Sequence, residues 1–75
     1  MNNQDREELS KFVERIEGIK TELEELRDSL QERADNLSEK FPSKSEKLEE
    51  EANSVDRIID SLEEAINDAA YVGGE

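Results

Sequence analysis

Phe41-Pro42-Ser43-Lys44-Ser45-Glu46 is the one turn signal before the carboxyl end of the chain, and it divides two rows of regularly spaced apolar residues. Pro42 pushes Phe41 out of the helical region and removes a backbone donor. Ser43 followed by Glu46 then reads as a capping box that restarts the chain as a helix. Upstream, Leu9, Ile16, Leu23, Leu30 and Leu37 recur every seven residues. Downstream the pattern resumes as Leu48, Val55, Leu62 and Ala69. A connection this short favours antiparallel neighbours, so the expected fold is an all-α, two-helix coiled-coil hairpin.

The spacing predicts helix one over about 5–40, a turn at 41–45, helix two over about 46–70 and a short tail released by Gly73-Gly74. Asp5 with Glu8 fits a capping box at the start of helix one. With Leu9 at heptad position a, the d positions are Phe12, Ile19, Leu26 and Arg33, and only Arg33 breaks the seam. Antiparallel alignment then gives paired positions a sum near 85, with Leu37 near Leu48 and Leu23 near Leu62. Arg33 falls near Glu51, as a pair that either fixes register or is merely solvated. Gly18 lies on the outer face, and Tyr71 is expected to cap the end of the core against Phe12 and Leu9.

Seventy-five residues make one small domain, whose core alone supplies only roughly 3 to 5 kcal/mol, so reinforcement is expected. The absence of Cys excludes disulfides, and the lack of Cys and His excludes a zinc staple, leaving oligomerisation. With 32% hydrophobic and 43% charged residues the composition alone suggests disorder, but the apolar residues fall on a regular stripe. No apolar run approaches the roughly 18 residues of a membrane span. The amino terminus shows no export signal, and the chain reads as cytoplasmic. A net charge of −12 argues against direct binding of nucleic acid or anionic membranes and makes basic surfaces the natural partners.

Helix two carries more apolar surface than one seam needs. Leu48, Ala52, Val55, Ile59, Leu62, Ile66 and Ala69 form one row, and Ile58, Ala65 and Val72 form a second beside it. So wide a face points to more than one neighbour. The favoured arrangement is a homodimer whose hairpins make a four-helix bundle, with Ile58, Ile59, Ala65, Ile66 and Val72 as the expected oligomer interface. An extended monomer, or a different protein docked on the second row, stays open.

Helix one mixes charge signs, whereas from Leu48 onward Arg57 is the only base. Glu49, Asp56, Asp60, Glu63, Glu64 and Asp68 are the candidate acidic face for a basic partner, with solubility as the alternative explanation. His, Cys and Trp are absent, and the carboxylates are expected on exposed helix faces without a cleft. The expectation is therefore no enzyme, no cofactor and no metal site.

The run Asn36-Leu37-Ser38-Glu39-Lys40-Phe41-Pro42-Ser43, followed by Ile58-Ile59-Asp60-Ser61-Leu62-Glu63-Glu64-Ala65-Ile66, resembles small acidic coiled-coil proteins of bacterial phages and prophages. Those proteins combine a Lys/Glu-rich first helix, an Asn-Leu-Pro-Glu-type turn and a second helix of Leu-Glu-Glu-Ala-Ile repeats. Here Ser38 stands where that pattern has proline. The resemblance implies a mobile-element context and a host-interfering role. Three functions follow for comparison: an oligomeric protein-protein interaction module, an acidic nucleic-acid mimic that inhibits a DNA- or RNA-binding defence enzyme, and a purely structural coiled coil.

Overall fold

The computed structural model describes residues 1–73, and it consists of two helices packed against each other: α1 (Asn3–Leu37) and α2 (Pro42–Gly73). The helix starts earlier than the spacing predicts because Asn2, and not Asp5, is its cap: the Asn2 side-chain oxygen accepts from the Asp5 backbone N–H at 2.8 Å. Asp5 sits in the first turn, where its charge suits the positive helix end. At the other end the Ser38 hydroxyl donates to the Asp35 carbonyl at 2.9 Å, and the Phe41 N–H donates to Leu37 O at 2.8 Å.

Pro42 opens α2, a position that needs no backbone donor and suits its fixed φ. Ser43 therefore lies within the first turn instead of capping it, and the hydroxyl that matters is two residues on. Ser45 is buried, and its Oγ donates to the Ala34 carbonyl across the turn at 2.6 Å. At its far end α2 runs on through Gly73, beyond the expected stop at Ala70, and Gly74 lies outside the described residues.

The seam differs from the predicted one on α1. Apart from Glu24 on its flank, its less exposed positions are Leu9, Val13, Ile16, Lys20, Leu23, Arg27, Leu30, Ala34 and Leu37, an alternation of four and three. The Leu9 row thus takes heptad position d, and Val13, Lys20, Arg27 and Ala34 take position a. Phe12, Ile19, Leu26 and Arg33 are exposed, immediately beside the seam. On α2 the seam is the expected row extended at both ends, from Ser45 to Gly73. The register shifts accordingly. Lys20 meets Glu63, Arg27 meets Asp56, and a Cβ on Gly73 would sit 3.5 Å from Leu9 Cδ2, so partners sum to 82 or 83 and not 85. That register sets Ile16 opposite Ile66 and Leu23 opposite Ile59. Arg33 and Glu51 are both exposed, and no ion pair joins them among the described residues.

The hairpin is long and thin, with Cα extents of 58 × 15 × 11 Å and a radius of gyration of 17.0 Å, against about 11 Å for a compact chain of this length. Its buried apolar core is Leu30, Ala34 and Ala52 on the turn side of the hairpin, with Ile59 at the middle of α2. Tyr71 does not cap the opposite end: it is 75% exposed. Gly18 faces open space, with no atom within 4 Å of an added Cβ. Gly18→Ala is therefore expected to stabilise the hairpin by about 1 kcal/mol, read as a rise of roughly 4 to 8 °C in the thermal midpoint by circular dichroism.

Candidate interaction surface

The a and d positions face the partner helix, so the residues before each a (position g) and after each d (position e) form its two flanks. Because α1 and α2 run in opposite directions, their g rows lie on one side of the hairpin and their e rows on the other. The two sides differ in chemistry.

The e side is polar. It carries Glu17, Glu24 and Gln31 from α1 and Glu49, Asp56 and Glu63 from α2. Lys20 and Arg27 stand at seam positions, where their stems cover apolar neighbours while their charged ends turn out to this side. Lys20 Nζ lies 2.8 Å from Glu63 Oε1, and Arg27 Nη1 lies 2.7 Å from Asp56 Oδ1. Arg27 also reaches Asp28 Oδ1 at 3.2 Å. The hydrogen bond to Glu63 is the main cause holding the Lys20 pKa above its ordinary 10.5, and the bond to Asp56, then that to Asp28, does the same for Arg27. A raised lysine pKa contributes stability that is complete below the ordinary value and fades as pH rises through the folded one.

These two cations occupy positions where aliphatic residues pack best, and charged residues there select register at a cost in stability. The double variant Lys20→Leu/Arg27→Leu is expected to melt at a higher temperature and to form species larger than those of the native chain. Light scattering after size exclusion, beside a thermal melt, checks both halves.

The g side is apolar. Phe12, Ile19 and Leu26 of α1 share it with Ile58, Ala65 and Val72 of α2. The five larger side chains are 44–52% exposed, although each belongs to a row of heptad spacing. The apolar arc of α1 spans positions d and g, and α2 covers only its d edge. Among the expected interface residues, Ile58, Ala65 and Val72 lie on this open flank, whereas Ile59 is buried in the seam and Ile66 half-buried there. Phe12, Ile19 and Leu26 are the surface residues that the sequence reading assigned to the core. Their spacing matched a d row as well as a g row, and only the partner's position distinguishes the two.

Of the six candidate acidic residues four keep to one stripe and two do not. Glu49, Asp56 and Glu63 lie on the e side with Asp60 next to them, but Glu64 is on the back of α2 and Asp68 borders the apolar flank. Asp56 and Glu63 are held by Arg27 and Lys20, while Glu49, Asp60, Glu64 and Asp68 have no ion-pair partner among the described residues. No group of three carboxylates converges as a metal-holding set among the described residues. A groove of about 430 Å³ opens between the helices at their free ends, lined by Leu9, Val13, Ile66, Ala69, Ala70 and Gly73 among others, where small α2 side chains leave the seam underfilled. No helix among the described residues is long and apolar enough to cross a membrane. No family model, curated protein or solved structure matches the chain.

Proposed function

We propose that the chain is a non-enzymatic, self-associating interaction module whose hairpins pair through their apolar flanks into a four-helix bundle. The observation that carries this reading is the flank itself, together with the area it leaves in water. The chain exposes 5792 Å², whereas a compact protein of 8.6 kDa exposes about 4,700 Å². The excess, about 1,100 Å², is of the order that one partner contributes to a stable interface, about 800 Å². Covering the flank also adds a second layer to a core that is otherwise four residues. Such a bundle would keep the e sides and the backs of the helices, and with them most carboxylates, in solvent, where they steer and select partners.

Sedimentation equilibrium tests the proposal. The expected mass is twice 8.6 kDa, and association should tighten as salt is raised, because each copy carries −12 and screening relieves repulsion between them. A mass of one chain at about 100 μM in high salt would sink it. Nucleic-acid mimicry ranks second, supported by the net charge and by Glu49, Asp60, Glu64 and Asp68. It calls for the opposite salt response, weaker binding of a basic partner as salt rises.

A further inference from the structure

We infer that the occupant of the apolar flank is a second copy lying antiparallel, its turn over the free helix ends of the first, with the two-fold axis passing beside Ile19 and Ala65. This rests on the self-association proposed above and adds its orientation and register. The charge along the chain is lopsided. Residues 33–47 hold four bases and three acids, whereas the rest of the chain holds six bases and nineteen acids. The rim of the flank repeats the asymmetry. Arg33, Lys44 and Lys47 border it at the turn end, and Asp5, Glu8 and Asp68 at the free end, with Arg15, Glu22 and Glu51 as the exceptions. Stacking two copies turn upon turn brings like charges together at both ends. Reversing one copy sets bases against acids at both.

The side chains agree in register. A two-fold at Ile19 pairs positions of α1 that sum to 38, placing Phe12 on the partner copy's Leu26 level and Arg33 on its Asp5 level. Arg15 comes level with Glu22 of the other copy. On α2 the same axis faces Ala65 with Ala65 and Ile58 with Val72. On the α2 rim the hydroxyls are already satisfied, Ser54 Oγ donating to Glu50 O at 3.1 Å and Ser61 Oγ to Arg57 O at 3.0 Å. These serines are small enough to be covered and need no water to satisfy their donors.

The test uses the full chain, which contains no cysteine, with Ser43→Cys carrying a nitroxide at the turn. Dipolar spectroscopy in deuterated solvent should report a distance of about 60 Å, twice the rise from Ile19 to the turn. A distance of about 10 to 20 Å, as two adjacent turns would give, would overturn the antiparallel orientation while leaving self-association intact. No dipolar coupling, with the mass of one chain, would overturn both. A charge swap gives a second readout: Arg15→Glu raises the dissociation constant about 10-fold at low salt, and Arg15→Glu/Glu22→Arg restores most of it. Failure of the swap to restore association, in a dimer that the single variant weakens, would also overturn the register.

Discussion

Ile19→Glu is expected to leave the chain monomeric at concentrations where the proposed dimer forms, with a dissociation constant higher by roughly 1,000-fold. Ile19 is 48% exposed in the hairpin and sits where the proposed two-fold axis would cross the flank, so one substitution would alter both sides of the contact at the same place. Each copy loses the remaining apolar burial of an isoleucine, about 1 kcal/mol, and brings a carboxylate against its symmetry mate, for a total of about 4 kcal/mol. The α1–α2 seam does not include Ile19, so circular dichroism at low temperature should still show two helices. Lys11→Gln changes the net charge by the same amount on the outer face and should leave the mass unchanged. Sedimentation of the two variants side by side separates loss of the flank from a change of charge, and a paired Ile19→Glu chain would place the interface elsewhere.

The second large effect is on the fold itself. Ala34→Asp should abolish cooperative unfolding above 25 °C, because Ala34 is 0% exposed and its carbonyl accepts the Ser45 hydroxyl at 2.6 Å. Aspartate is too short to carry its charge out to water from that position. An unpaired buried charge costs about 3 to 5 kcal/mol, and aspartate adds a few tenths in helix propensity. A core this small supplies about the same total. Glu32→Asp, two residues away on the outer face, should cost less than about 0.5 kcal/mol by the same melt. Equal stability of the two variants would mean that the turn is not where the hairpin is held.

The two helices and the turn were legible in the sequence because periodicity and Pro42 report on local geometry directly. Which edge of an apolar arc meets the neighbouring helix is a different matter. On α1 the Leu9 row can be completed by Phe12, Ile19 and Leu26 or by Val13, Lys20, Arg27 and Ala34, and hydrophobicity alone chooses the first. The structure takes the second, since small residues at Ala34, Ser45 and Ala52 permit close approach beside the turn, and Lys20 and Arg27 can lie along the seam with their charges outside it. The signal was present in Ser45, a polar residue in phase with the α2 row, but with the cap read at Ser43 it was counted as part of the turn. The wide apolar face of α2 was legible, and its continuation on α1 was not, because those residues had already been assigned to the seam. The carboxylates were countable in the sequence, whereas the pairing of Asp56 and Glu63 depended on the register and became visible only with it.

The tight end at Ala34 and Ser45 and the loose end around Val13, Ala69 and Gly73 also set an order of events in time. Contacts beside the turn close a loop of about ten residues, a step of about 10 to 100 nanoseconds, and they need only small side chains to meet. Contacts at the free ends join residues more than sixty positions apart and so follow only after the helices have zipped together from the turn. Backbone amides should accordingly exchange with deuterium fastest near Leu9 and Ala70 and slowest near Leu30 and Ala52, so that the end by which the chain starts folding is the last to open.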